Sequence, residues 1–243
     1  MTEVVILPGL DGTGALLEGF CSTLAALGVP ARAVAYPPDR PLGYGELEAL
    51  VRAQIPSTAP FIVLAESFSG PLAIRIAADP PPALVGVVLS TSFACAPVRC
   101  LSPLAPLLRF APARPPVPLL SWLLLGPWAT PQLQAQLVTV LHTVSPAALR
   151  ARAAAALRVD VSGLLGSVRV PVLQLVASRD RLLASSASEL LAAHLPLCRT
   201  VTLQGPHLLL QAEARSAAEA VAEFSLSLDP DNSSKPKPLR GSA

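Results

Sequence analysis

Four short segments of this chain carry groups able to do nucleophilic chemistry together. The first is Phe61 to Gly70, FIVLAESFSG, an apolar run that passes through Ala65-Glu66-Ser67-Phe68-Ser69 into a stretch of helical composition. A serine on a sharp strand-to-helix turn needs small neighbours at minus two and plus two, where strand and helix nearly meet. Ala65 and Ser69 are small, although the usual form of this motif, GxSxG, has glycine at both places. Such a turn presents its hydroxyl at a helix N-terminus, where backbone amides and the dipole favour developing negative charge. Ser67 is thus the candidate nucleophile, set against the plainer reading of a serine-rich helix cap. Ser69, with Pro71 at plus two, is the weaker alternative.

The second segment opens the chain. An apolar run, Val4 to Leu7, leads into Pro8-Gly9-Leu10-Asp11-Gly12-Thr13-Gly14, whose three glycines let backbone amides face a ligand. In acyl-transfer chemistry such a loop supplies one donor of an oxyanion hole, here the Leu10 amide, and the residue after the nucleophile, Phe68, supplies the other. Dinucleotide binding is disfavoured: the glycines do not match GxGxxG, the next strand ends in AYPPDR without an acid for a ribose, and no GK[ST] is present.

A serine nucleophile on a sheet of this kind needs an acid after a late strand and a histidine after the last one, in the order Ser, Asp, His. Of the three histidines, His207 follows CRTVTLQG in the loop Gly205-Pro206-His207, whereas His142 falls in an apolar helical stretch and His194 at a helix end. Asp180 follows VPVLQLVAS in Ser178-Arg179-Asp180-Arg181, a position from which a carboxylate could reach the Nδ1 hydrogen of His207. Asp160 is the rival acid, and a surface pairing of Asp180 with its neighbouring arginines is the bland alternative.

The elements that must position these groups are those of an α/β chain. EVVILPG, ARAVAYP, PFIVLAES, LVGVVLSTS, VPVLQLVAS and CRTVTLQG are six strand candidates, rich in β-branched residues. Helical spacing or composition falls between them at residues 13 to 28, 43 to 55, 68 to 79, 185 to 194 and 212 to 225, with Gly28 and Asp79 as stops. That alternation gives a mostly parallel sheet flanked by helices, with a core from residues 1–92 and 169–227. Residues 93–168, dominated by Leu, Pro and Ala with no convincing strand, read as a helical cap inserted at the carboxyl edge of the sheet, where open α/β sheets bind ligands. Residues 228–243, LDPDNSSKPKPLRGSA, read as a disordered tail.

Composition bounds the partners. The 243 residues are 52% hydrophobic and 14% charged, with a formal net charge of +2 and no basic run along the body of the chain. A large core is therefore expected, and nucleic acid is not. Mean hydropathy is positive, +0.54, yet the most apolar stretch, Val117 to Ala129, is cut by Pro118 and Pro127 and falls short of the roughly 20 residues of a membrane span. The N-terminus lacks a basic region ahead of an apolar centre, so the expected compartment is cytoplasmic. Cys21, Cys95, Cys100 and Cys198 show no metal-ligand spacing, so no metal site is expected, and they read as free thiols, with Cys95–Cys100 the one conceivable pair.

With LPGLDGTG, AESFSG, SRD and GPH in this order, residues 1 to 227 resemble the α/β-hydrolase family. More narrowly, LPGLDGTG, the elbow and the TSFACAP segment look like the hydrolase portion of plastid esterase/lipase/thioesterase proteins that make phytyl esters, without their acyltransferase-like region. The resemblance implies a reduced α/β-hydrolase fold of about six strands, since the first strand here already precedes the oxyanion loop. It also implies a carboxylic ester hydrolase with Ser67, Asp180 and His207 as triad, Leu10 and Phe68 as oxyanion donors, and no cofactor. A cap containing Leu107, Leu108, Phe110, Leu119, Leu120, Trp122, Leu123 and Trp128 offers an apolar acyl pocket for small to medium esters, with Leu107, Phe110, Trp122 and Trp128 as the substrate-binding candidates. A thioesterase or acyltransferase with the same triad, or a noncatalytic ligand-binding member of the fold, are the alternatives.

Overall fold

A computed structural model describes residues 2–97, 99–110 and 116–228 of the chain. The expected tail beyond Leu228 and the Cys100 side chain lie outside the described residues, while Cys21, Cys95 and Cys198 are free thiols.

All six strand candidates form strands. They are β1 (Glu3–Leu7), β2 (Ala31–Ala33), β3 (Phe61–Glu66), β4 (Leu84–Ser90), β5 (Val172–Ala177) and β6 (Cys198–Leu203). Their order is β2-β1-β3-β4-β5-β6 and every pairing is parallel. The residues of β3 are buried throughout, as expected of a central parallel strand covered on both faces.

Helices α1 (Glu18–Ala26), α2 (Tyr44–Arg52) and α3 (Gly70–Ala78) follow the first three strands. Between β4 and β5 come α4 (Val117–Leu124), α5 (Pro131–Thr143) and α6 (Pro146–Ala156), each with a proline in its first turn, where the missing N–H costs nothing. Helix α7 (Ser185–His194) precedes β6, and α8 (Leu209–Ala212) and α9 (Ala214–Ser227) close the described chain. Gly28 ends α1 at φ 79°, the left-handed conformation that only glycine adopts cheaply.

Alternate residues of the strands feed two apolar layers. Val5, Leu7, Val63 and Leu89 pack with Leu47 and Val51 of α2, Leu72 and Ile76 of α3 and Leu191 of α7. Val4, Ile6, Ile62, Leu64 and Leu175 pack on the other face with Phe20 and Leu24 of α1 and Val221 and Phe224 of α9. Among the described residues from 93 to 168 no strand forms, and one isolated antiparallel bridge joins Cys95 to Asp160. Among the described residues no helix is long and apolar enough to cross a membrane.

This topology decides where a site can lie. From β1 the chain steps outward to β2, then returns to the opposite side of β1 as β3, so the loops leaving β1 and β3 diverge. Ligands of open parallel sheets bind at such a reversal, outside the carboxyl ends of the strands. The loop Pro8–Gly14 and Ser67 both stand there, with Leu7 paired to Ala65 in the sheet.

Candidate active site

Ser67 follows the last residue of β3 and begins a short 3-10 turn, Ser67–Ser69, that runs directly into α3. Its φ is +47°, a left-handed conformation that a serine adopts only when its surroundings impose it. Gly70 makes the turn possible: a Cβ there would lie 1.6 Å from Ser92 Oγ. The Ser92 hydroxyl instead donates to the Ser67 carbonyl at 2.7 Å, tying the elbow to the end of β4. The glycine this elbow requires is thus at plus three, and buried Ala65 and Ser69 replace the usual glycines at minus two and plus two.

Ser69 points away from the turn that carries Ser67. Its hydroxyl donates to the Pro8 carbonyl, and the Tyr36 hydroxyl then donates to Ser69 Oγ at 2.7 Å. Completely buried and doubly engaged, Ser69 is part of the scaffold between elbow and first loop.

His207 sits after β6, 2% exposed. Its Nε2 is 2.8 Å from Ser67 Oγ, and its Nδ1 is 2.8 Å from Asp180 Oδ2. Two backbone bonds align the loops that carry Asp180 and His207: the Ser178 N–H donates to the Leu203 carbonyl and the Arg179 N–H to that of Gly205. The other carboxylate oxygen of Asp180 accepts the N–H groups of Leu182 and Leu183 at 2.8 and 2.9 Å, so the side chain is held in one rotamer. An Nδ1–H donated to Asp180 leaves the Nε2 lone pair for the serine proton, the arrangement that makes a hydroxyl nucleophilic.

The rival residues are elsewhere. Asp160 Oδ1 accepts the Ser162 N–H and hydroxyl at 3.0 and 2.6 Å in a turn of its own. His142 is exposed on α5, and His194 is exposed at the end of α7 with Nδ1 3.0 Å from the Leu190 carbonyl.

The first loop lies against the elbow. A turn bond from Gly12 N–H to the Gly9 carbonyl, 3.1 Å, closes it around Leu10, and Asp11 caps it by accepting the Thr13 N–H and hydroxyl. Behind Phe68, the ring of Tyr44 stacks at 4.8 Å and its hydroxyl donates to the Phe68 carbonyl at 2.8 Å, which orients that peptide.

Glu66 turns to the opposite side of its strand from Ser67. It is buried, accepts the Gly9 N–H and the Gln211 amide, and burial pushes its carboxyl up to about 7.

Of the four apolar candidates between β4 and β5, Leu107 and Phe110 are exposed, at 55% and 73%. The Arg181 guanidinium lies over Trp122, its Cζ 5.0 Å from the ring centroid, and Trp128 donates its indole N–H to Glu213. A cavity of about 230 Å³ adjoins Asp180, with a mixed lining that includes Thr91, Ser92, Gln174, Leu175, Leu183 and Ser185. Among the described residues no cluster of His, Cys, Asp or Glu is arranged to hold a metal ion.

Sequence reasoning missed Tyr36, Tyr44, Ser92, Gln211 and Arg152, which support the site through contacts between distant segments. Only Ser92 had a local signal, lying in the small-residue run at the end of β4.

Neither a family profile nor a curated protein sequence matches this chain. Its architecture does have counterparts among solved structures. A hydrolase from Pseudomonas aeruginosa PA01 superposes with a TM-score of 0.77 at 19% identity, covering 92% of this chain and 90% of that one. A lipase-esterase related protein from Clostridium acetobutylicum gives 0.75 at 14% identity over 92% and 94%, and the enol-lactonase from Burkholderia xenovorans 0.73 at 15% over 92% and 91%. With its parallel sheet and flanking helices, the chain has the α/β-hydrolase fold. Among the described residues its sheet has six strands, with β1 leading into the Gly9–Gly14 loop.

Proposed function

We propose that this protein is a serine hydrolase that cleaves carboxylic esters through an acyl-enzyme. The observation that carries this reading is the continuous relay from Ser67 Oγ through the His207 ring to Asp180, with both links at 2.8 Å. Solved proteins of the same fold include a lipase-esterase related protein, an enol-lactonase and a phospholipase A, which supports an ester among the possible acyl donors.

In the forward step His207 Nε2 takes the hydroxyl proton as Ser67 Oγ bonds to the ester carbonyl carbon. The carbonyl π pair moves to oxygen, where the amides of Leu10 and Phe68 stabilise the oxyanion. Collapse expels the alcohol, which takes the proton from His207. Water then attacks the acyl-serine, giving a proton to His207, and the second collapse returns that proton to Ser67 as the acid leaves. Asp180 keeps the imidazole in the productive tautomer and stabilises the imidazolium.

Residues 93–168 serve in this reading as a cap, with Leu107, Phe110, Trp122 and Trp128 giving it the apolar character that favours small to medium acyl groups over charged ones. The cap meets both catalytic loops: the Leu208 N–H donates to the Leu124 carbonyl, and Arg181 Nη1 donates to that of Trp122. A p-nitrophenyl ester series from acetate to palmitate tests the proposal. Turnover that disappears in Ser67→Ala supports it, and equal turnover in that variant contradicts it.

A further inference from the structure

We propose that Arg152, reaching from helix α6 of the inserted segment, is a positioning residue that fixes the oxyanion loop; this rests on the serine-hydrolase reading above. Arg152 has no exposed surface at all, although it lies in an alanine-rich helix, PAALRARAAAA, whose pattern gives no hint of burial. Its Nη1 donates to the carbonyls of Leu10 and Asp11, the former at 3.2 Å, and its Nη2 donates to the Pro37 carbonyl at 2.8 Å. The guanidinium also lies 5.7 Å from the centroid of the Tyr36 ring.

Removing a guanidinium from water is costly unless its donors are met, and here backbone carbonyls of the Leu10–Asp11 loop and of the segment after β2 meet Nη1 and Nη2, while Nε is buried without a hydrogen-bond partner among the described residues. The loop is moulded to this group. Gly12 has φ +72°, and a Cβ on it would fall 2.5 Å from Nη1 and 2.9 Å from Tyr36 Cδ2. Tyr36 in turn accepts no freedom, because its N–H donates to the Gly12 carbonyl at 2.7 Å and its hydroxyl reaches Ser69.

The consequence for catalysis follows from the two peptide planes that meet at Leu10. The plane before it is fixed by the Gly9 carbonyl, which accepts the Gly12 N–H, and the plane after it by the Leu10 carbonyl, which accepts Arg152. With both planes held, the Leu10 N–H has one direction. Among the described residues no backbone carbonyl takes that N–H. A donor pre-aimed at the developing oxyanion is worth about a hundredfold to a thousandfold in rate, and a few tenths of an ångström of misplacement forfeits part of it. Lysine at 152 keeps the charge yet cannot fork between Leu10–Asp11 and Pro37.

The test compares wild type and Arg152→Lys on a p-nitrophenyl ester, alongside the inhibition constant of an alkyl trifluoromethyl ketone, whose adduct with Ser67 carries the same oxyanion. Expected for Arg152→Lys is a kcat at least about tenfold lower with KM within twofold, and an inhibition constant raised by the same factor as kcat falls. A purely structural role would lower Tm and the active fraction without weakening the ketone. If Arg152→Lys fails to fold, Gly12→Ala, which crowds Nη1 from the loop side, must give the same paired loss. Full kcat in the folded variant, or a kcat loss with the ketone constant unmoved, overturns the role of Arg152 alone. A wild-type protein that neither turns over esters nor binds the ketone overturns the serine-hydrolase reading with it.

Discussion

Glu66 and Gly9 are joined across the sheet edge by a hydrogen bond, the Gly9 N–H donating to Glu66 Oε2 at 3.2 Å. The residue before the proposed nucleophile thereby holds the start of the loop that carries the proposed oxyanion donor. Gln211, four residues beyond His207, donates to the other carboxyl oxygen at 2.9 Å, so one buried side chain at the end of β3 ties the loop after β1 to helix α8.

That carboxyl gives the fold a pH dependence. Desolvation raises it from its ordinary 4.5 to about 7, with Asp11 adding to the rise and Gln211, His207 and Gly9 opposing it. Its stabilising contribution is fully present below pH 4.5, where both states are protonated, and is lost as pH rises from 4.5 through about 7, because over that range the unfolded chain ionises while the folded carboxyl stays protonated. The loss is about 3 kcal/mol. In Glu66→Gln the neutral amide removes that slope, and the Gln211 amide can turn to offer its unpartnered oxygen. Urea unfolding of both proteins at pH 5 and pH 8 should show the wild type losing more stability than the variant; equal losses would contradict this account of Glu66.

Elbow strain separates two ways of deleting the nucleophile. Ser67→Ala and Ser67→Gly both remove the hydroxyl, yet only glycine is relaxed at φ 47°. Ser67→Gly should be more stable than Ser67→Ala by about 1 kcal/mol, read by thermal denaturation. A glycine variant less stable than the alanine one would mean the turn is not strained.

Gly70 and Ser92 should couple. Gly70→Ala places a methyl group 1.6 Å from Ser92 Oγ and should destabilise by at least about 3 kcal/mol. In a Ser92→Gly background the same change should cost less than half as much, because the obstruction is gone. Additive costs in that double-mutant cycle would show that the contact does not govern the turn.

The two acids should behave oppositely. Asp180→Asn puts an amide against His207 Nδ1 and favours the wrong tautomer, so kcat should drop by about three to four orders of magnitude. Asp160→Asn keeps an oxygen for the Ser162 N–H and hydroxyl, and its kcat should stay within twofold. A reversed result would move the acid to Asp160.

Much of this was legible in the sequence where local pattern and global role coincide. The six strands were visible because a doubly covered parallel strand must be a short apolar run, and Ser67, Asp180 and His207 stood out because each follows such a run in the expected order. Ser69 shows where pattern fails: next to Ser67 it reads as a second hydroxyl, and only the fold sends it to Pro8 and Tyr36. Arg152 was invisible for a related reason. A helix such as α6 presents its arginines to solvent by default, and burial of this one depends on a loop about 140 residues away. The apolar character of residues 93–168 was plain, but where its side chains settle depends on packing between segments that no periodicity encodes, as Trp122 under Arg181 illustrates.

Covalent labelling with a fluorophosphonate, followed by intact mass and peptide mapping, tests the central claim most directly. One adduct, mapped to Ser67, abolished in Ser67→Ala and slowed at least about a hundredfold in His207→Ala, is the result this structure predicts. An unlabelled wild-type protein, or an adduct on any other residue, would contradict the assignment of Ser67 as a nucleophile activated by His207.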